Sequence, residues 1–518
     1  MIKDLRIGID VGGTNTDAVV VDAAGKVIAA TKAATTLDPF DGIRAALVQV
    51  LEGVDKSRVG QAMLGTTHPA NAVIQRRDLQ RVGALRLAAP ASIGVRPGAA
   101  WPADLAATIL GPTRIIRGGN NYDGSEISPL DEDAVRAFAA EAGSSVETIA
   151  LSAPFSPASR EHELRAEEII LEELGKDFAV SLSHRVGALG LLERENATIL
   201  NASLLKVARG VIVGFKAALA EQALEVESFL TQNDGTLMSE EDATRLPVLS
   251  LGSGPTNSMR GASSLAGLAD AMVIDVGGTS ADVGILVDGF PRESASAIEV
   301  GGVRTNFRMP DLVSIGLGGG TVVRRGTSGV DIGPDSVGYR VSTDALVRGG
   351  STLTLSDISV AAGRLQGFGD SSLIADLPKE LVSDALSWVD TQIGIIVERM
   401  KASKHQLPLI AVGGGSHLVP DEIAGVSQVI RPNHHPVANA YGAAISEASG
   451  SIDQVYRYSE GGREACLENA RWAAIDAAVS AGADPASVRV TSIIEVPLTY
   501  VPGEACRVQV KAAGALLR

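Results

Sequence analysis

Short apolar runs alternate along this chain with longer stretches of helical period, and that alternation predicts α/β layers. The first run, Arg6 to Asp10, ends in a glycine turn and is answered by a second, Ala18 to Asp22. Ala23-Ala24-Gly25 reads as a hairpin turn before a third, Lys26 to Ala30. Asp38-Pro39 has the form of a helix start, with the helix running to Glu52, and Ser156-Pro157 starts another, to Leu174. A long helical stretch, Leu191 to Leu219, is expected to cross between two lobes. Further helices are predicted at Ser383 to Ser403 and Ala438 to Ala448. A tail follows: an Ala-rich helix from Arg463 to Ala481 and two β-like runs, Val488 to Val501 and Arg507 to Lys511. Chain order divides these elements into an N-terminal lobe (1–227), a C-terminal lobe (228–450) and a small α+β tail (451–518). Low-complexity tracts and flexible linkers are absent from the sequence.

One segment occurs twice. Ile9-Asp10-Val11-Gly12-Gly13-Thr14-Asn15-Thr16-Asp17 returns as Ile274-Asp275-Val276-Gly277-Gly278-Thr279-Ser280-Ala281-Asp282, with seven of nine positions identical at an offset of 265 residues. Turn glycines lack Cβ, so backbone N–H groups can approach a phosphate and form an anion-binding nest. Thr14 and Thr16 add hydroxyl donors, and the second copy follows the same logic. Asp10 and Asp275, each at a strand end, can hold Mg²⁺ directly or through water. Two such aspartates facing one another need a cation between them. Either copy alone could be a tight turn with an Asx hydrogen bond. The matched pair points to two lobes closing on one nucleotide, held by Gly12, Gly13, Thr14, Asn15, Thr16, Gly277, Gly278, Thr279 and Ser280.

Other glycine turns follow. Gly413-Gly414-Gly415-Ser416 ends the apolar run Leu407 to Val412 and leaves room for an adenosine beside a helix N-terminus. Gly318-Gly319-Gly320 fits no dinucleotide fingerprint and is assigned to the lobe interface, near substrate; the chain carries no P-loop. Thr66, Thr67, His68 and Asn71 offer hydroxyls, an imidazole and an amide at a strand end, for substrate contact or for helix capping. The stretch Asn439 to Ala444 reads as a small-residue helix for close packing, and that reading suffices there. His417, His434 and His435 lack a carboxylate or cysteine partner at metal-ligand spacing.

Composition narrows the setting. A net charge of -16 argues against a nucleic-acid backbone or an anionic membrane as partner, so an anionic ligand must be held locally. The two cysteines, Cys466 and Cys506, make no disulfide framework and suggest a reducing cytoplasm. The opening Met1-Ile2-Lys3-Asp4-Leu5 runs straight into a strand without a signal-peptide pattern, and no apolar run is expected to reach the ~18 residues of a membrane span.

Two Asp-x-Gly-Gly-Thr hairpins, a Gly-Gly-Gly strand end and a small-residue helix, in that order, resemble the actin-like ATPase superfamily, with its ribonuclease H-like duplicated domains and interlobe nucleotide cleft. Within it the chain is most similar to the hydantoinase A/oxoprolinase family, through Gly8 to Asp22, Leu64 to Ala72, Tyr122-Asp123-Gly124 with Pro129-Leu130-Asp131, Ser181 to Ala202, Gln232 to Met238, Gly252 to Gly261, Val273 to Ile285, Ser314 to Thr321 and Leu409 to Ala444. The resemblance implies ATP and Mg²⁺, with phosphorylation of the oxygen of a cyclic amide, lactam or related carbonyl before hydrolysis or carboxylation. It carries over Asp10 and Asp275 as metal and phosphate residues and Gly413 to Ser416 as the adenosine loop. Asp17, Asp282 and His68 are the candidate bases. Leu64 stands where many members have His, and Asn15 where an aromatic is common. The partner (B) region of fused members is absent, which implies a separate hydantoinase B-type subunit; the tail's β-like runs could also pair with a second copy. The expected activity is ATP-dependent ring opening. A small-molecule kinase or a nucleotide-switched ATPase on the same fold are the rivals.

Overall fold

In the computed structural model, the described residues are 3–34, 39–294, 297–326, 329–401, 403, 405–499 and 504–517. Strands β1 (Leu5–Val11) and β2 (Asn15–Val21) form an antiparallel hairpin that sets Asp10 opposite Asp17. Strand β3 (Val27–Ala34) continues the meander, and β4 (Val59–Thr66) lies parallel to β1 on its other side. These strands are apolar almost throughout because both faces are covered. Ile43, Leu47 and Val50 of the helix Pro39–Val50 pack on one face, and Ala440, Tyr441 and Ala444 of the helix Ala438–Ile445 pack against Val19 and Val21 on the other. The cap predicted at Asp38 lies outside the described residues.

A second, all-parallel sheet follows, in the order β6-β5-β7-β8, from β5 (Val82–Ala89), β6 (Leu110–Arg117), β7 (Thr148–Ser152) and β8 (Ala179–Leu182). The helix expected to begin at Ser156 begins at Glu161, after a turn. Arg86 of β5 is fully buried and forms a two-pronged pair with Glu195, at 2.6 and 2.7 Å.

Glu195 sits on the helix Leu191–Glu221, which joins two cores. Its first half (Ala197 to Val207) packs beside the four-stranded sheet with Val300, Val303 and Phe307, and its second half (Val211 to Leu219) packs under the first sheet. By length and composition this helix could span a membrane, contrary to the sequence expectation, yet 72% of its most apolar window is buried inside the protein.

Strands β9 (Glu227–Thr231) and β10 (Leu237–Ser239) return to the first sheet beside β4. The division at 227/228 therefore does not follow the sheets. Nor does the division at 450/451: the strands Ala448–Arg457, Ala505–Gly514 and Arg489–Pro497 extend that sheet to nine strands. Val508, Val510 and Ala512 pack on Leu467, Ala470 and Ala474 of the helix Arg463–Ser480, and Lys511 pairs with Asp234 at 2.7 Å. Among the tail's described residues, Arg489–Pro497 is the strand that lies at a sheet edge.

The second hairpin repeats the first. Strands β11 (Ala271–Val276) and β12 (Ala281–Val287) set Asp275 opposite Asp282, and the strand Leu409–Val412 runs parallel to β11 as β4 does to β1. Between the two sheets cross the helices Ser253–Ala266 and Ala438–Ile445. Their backbones touch: a Cβ on Gly261 would overlap Ala438 O, and one on Gly442 would overlap Asn257 O.

Candidate functional site

The two hairpins close in the same turn. Gly12 N donates to Asn15 O at 3.0 Å, and Gly277 N to Ser280 O at 2.9 Å. The turns face each other, since a Cβ on Gly278 would lie 2.7 Å from Thr14 Oγ1. Behind them lies a cavity of about 710 Å³ lined by Asp10, Asp17, Asp275 and Asp282, by Gly12, Gly13, Thr14, Asn15, Gly277, Gly278, Thr279 and Ser280, and by Gly413, Gly414 and Gly415. That size suits a drug-sized or nucleotide-sized ligand. Arg348 stacks over the Phe368 ring at 4.7 Å in its outer wall.

Each carboxylate is held. Asn257 Nδ2 donates to Asp10 Oδ1 at 2.9 Å and Asn439 Nδ2 to Asp10 Oδ2 at 3.0 Å. Ser258 Oγ donates to Asp275 Oδ2 at 2.5 Å, Lys32 pairs with Asp17 at 2.7 Å, and Ser314 donates to Asp282. Burial pushes the Asp10 carboxyl up to about 6; the Asn257 bond opposes this and the charges of Asp17 and Asp275 add to it. Burial also raises Asp282 to about 6, against the Ser314 bond and with the Asp275 charge. Asp275 is raised by burial too, with Ser258 and Lys32 opposing. Crowded, buried carboxylates of this kind favour a cation among them. Hard oxygen donors suit Mg²⁺. Among the described residues no group of three or more His, Cys, Asp or Glu could hold a metal by itself. Mg²⁺ commonly takes one or two carboxylates, completing its shell with phosphate and water, so Asp10 and Asp275 fit that role.

The third loop is locked to the second hairpin. Gly415 N donates to Val276 O at 2.7 Å and Gly413 N to His435 O at 2.9 Å. Gly413 has φ +85°, and a Cβ there would overlap Asp275 Oδ1, so only glycine serves. Ser416 is buried against His435 Nδ1 at 3.0 Å and lines a neighbouring pocket with His417 and Arg431 instead.

Several predicted residues stand apart from the cavity. Thr16 is fully buried, because strand alternation turns it away from the face of Asp17. Thr66 accepts from His68 N at 3.1 Å at the start of the helix His68–Gln75. Of Thr66, Thr67, His68 and Asn71, only Thr67 lines the cavity. Of Gly318, Gly319 and Gly320, only Gly319 does so. Gly320 N donates to Gly278 O at 2.7 Å and a Cβ on Gly318 would lie 2.5 Å from Gly278 C, so this loop braces the second turn.

Sequence reasoning missed Asn257, Ser258, Asn439 and Lys32. The reading of Asn439 as mere packing is corrected by its bond to Asp10. Its signal was a lone amide among small apolar residues. Lys32 faces Asp17 across the β2–β3 register, which no local pattern reveals.

Duplicated hairpins, each with a parallel third strand, closing on a shared cavity define a two-lobed α/β protein of the actin-like kind. The chain belongs to the hydantoinase/oxoprolinase family: residues 6–174 match its N-terminal region and residues 194–369 match its hydantoinase/oxoprolinase domain. It is 28% identical over 429 residues to the caprolactamase subunit alpha of Pseudomonas jessenii, covering 77% of this chain and 60% of that protein. It is 26% identical over 452 residues to the acetone carboxylase beta subunit of Xanthobacter autotrophicus, again covering 77% and 60%. The match thus spans about 60% of these curated relatives. Among solved structures, the ATP-dependent caprolactamase from Pseudomonas jessenii superposes with a TM-score of 0.77 at 20% identity, over 99% of this chain and 88% of that one. Nucleotide-free acetone carboxylase gives 0.70 at 19%, with the same coverage.

Proposed function

We propose that this chain is the ATP-using component of an enzyme that opens a cyclic amide, activating its carbonyl oxygen by phosphorylation. The observation that carries the reading is the convergence of Asp10 and Asp275, from two separate hairpins, on one cavity with glycine turns on both sides. Backbone N–H groups of those turns would cradle phosphate, and the two aspartates would hold Mg²⁺. Bound Mg²⁺ supplies charge neutralisation at the phosphates. Phosphorylation of the amide oxygen makes its carbon electrophilic. One water adds there, the ring C–N bond breaks as nitrogen takes a proton, and the acyl phosphate so formed is hydrolysed by a second water to carboxylate and phosphate. Each turnover consumes ATP and two waters and yields ADP, phosphate and an amino acid. Thr67 and Gly319, which line the cavity, are the candidates for substrate contact, and Asp17 and Asp282 are the candidates for proton transfer. A separate B-type subunit is supported by relatives that carry subunit names. Two free, buried cysteines support a cytoplasmic setting.

A second reading, carboxylation of a ketone, is supported by relatives named as acetone and acetophenone carboxylase subunits. ADP release by the purified chain, with and without a partner subunit, separates the two. Stimulation by lactams or hydantoins with ring-opened product supports the first reading, and stimulation only by ketones with bicarbonate supports the second. Absence of ATP binding would overturn both.

A further inference from the structure

Away from the interlobe cleft, a second cavity of about 770 Å³ lies where the four-stranded sheet's subdomain meets the far end of the nine-stranded sheet. One wall is the turn Asn120 to Glu126 with the start of the helix Glu161–Leu174; the other is the end of the strand Ala448–Arg457 and the helices after it. It shares no lining residue with the cleft.

Four carboxylates line this cavity, Asp123, Glu126, Glu161 and Glu460, against one guanidinium, Arg457. Arg457 is itself engaged, 2.9 Å from Glu460 and 4.0 Å from Asp123. Asn120, also on the wall, is 4% exposed. Its Nδ2 donates to Gly124 O at 3.2 Å, which fixes the amide's orientation, and its Oδ1 is buried without a hydrogen-bond partner. An acceptor left in that state is costly, and a ligand donor would relieve it. Beside it, His162 Nδ1 accepts from Gly119 N at 2.8 Å. The ring hydrogen therefore sits on Nε2 and is donated to Glu126 Oε1 at 3.1 Å, which orients that carboxylate. The Tyr122 ring, edge-on to Phe155 at 6.1 Å, supplies an apolar side. A bare metal ion does not fit, since no group of three or more His, Cys, Asp or Glu among the described residues is placed to ligate one. A compact organic cation with several N–H donors does.

We propose that this cavity binds a small molecule through a primary ammonium group, with Asn120 Oδ1, Glu126 and Glu161 as its acceptors. An amino acid from ring opening and a polyamine both carry that group, and the former source rests on the function proposed above. Calorimetric titration of the full chain without nucleotide, using 1,5-diaminopentane, 6-aminohexanoate and hexanoate, tests the site independently of any ATPase activity. Binding of an ammonium probe but not of hexanoate is expected; 6-aminohexanoate binding assigns the amino acid, and diaminopentane alone assigns the polyamine. The exposed-side variant pair Glu126→Gln and Glu161→Gln, combined, should weaken binding at least about tenfold while leaving the fold intact. No heat with either ammonium probe, equal binding of hexanoate, or unchanged affinity in the double variant would overturn the proposal and leave the reading of the cleft untouched.

Discussion

Asn257 reaches Asp10 across 247 residues of sequence, its amide 2.9 Å from Oδ1, while the next residue, Ser258, donates to Asp275. One turn of one helix thus grips the carboxylates of both hairpins and sets their separation. Asn257→Ala and Asn439→Ala should each lower ATP turnover by about 10–100-fold, the usual cost of losing a partner that orients a metal-binding group. Steady-state ADP release measures this. Wild-type rates in both variants would remove these amides from the machinery.

The Asp10 carboxyl keeps its proton up to about 6 when folded, against 3.8 ordinarily. Between those values the folded state binds more protons than the unfolded chain, so this group's contribution to stability falls as pH rises through the window and is lowest above it. The penalty near neutrality is on the order of 3 kcal/mol. Asp10→Asn is expected to melt higher than the wild type near neutral pH without Mg²⁺, and to show no gain in acid below the window. Equal melting temperatures near neutrality would contradict this.

His417 has the opposite sign. Burial first, then the charges of Arg364 and Arg431, push its pKa down to about 4 from 6.5. As pH falls through that range the unfolded chain takes a proton that the folded protein refuses, and stability is lost by up to about 3 kcal/mol. His417→Gln should flatten the fall in denaturation midpoint on acidification. A fall as steep as in the wild type would assign it to other groups.

Two glycines separate ligand approach from folding. Around Gly13 a Cβ meets nothing within 4 Å, so Gly13→Ala should fold normally and weaken nucleotide binding by filling the cavity wall. Gly413→Ala combines φ +85° with an overlap on Asp275 and should melt lower, by several kcal/mol in stability, on the order expected for such strain. Thermal melts paired with nucleotide titration distinguish them, and a Gly13→Ala protein that binds like wild type would place the phosphates elsewhere.

Arg86 and Glu195 are a buried pair with side chains 0% and 4% exposed. Arg86→Met strands the Glu195 charge and should cost about 3–5 kcal/mol in urea denaturation, with much of it recovered in Arg86→Met/Glu195→Leu. A single variant as stable as wild type would show that water already reaches Glu195.

What was legible in the chain was what backbone chemistry dictates locally. The two hairpins announce themselves because their turns require glycine and their strands end in aspartate, and the structure sets Asp10 opposite Asp17 and Asp275 opposite Asp282. The helix Leu191–Glu221 was legible within a residue or two, and so was its role as a connector, but which core each half packs into was not, because those contacts come from strands distant in sequence. The strand Ala448–Arg457 joins the first sheet through a single register pair, Leu237 with Ala448, and such parallel pairing leaves no periodic trace. Asn257 and Asn439 act over hundreds of residues, so their partners could not be read from spacing.

The contact at Gly261 and Gly442 makes the crossing of the helices Ser253–Ala266 and Ala438–Ile445 a fulcrum. With main chain against main chain there, neither helix can slide past the other without collision, whereas rotation about the point of contact displaces little. Any movement of one helix against the other would thereby be confined to a swing about that contact. Asn257 and Asn439, which hold Asp10 from these two helices, sit beside the pivot, where the arc of such a swing is shortest and the grip on Asp10 would be least disturbed.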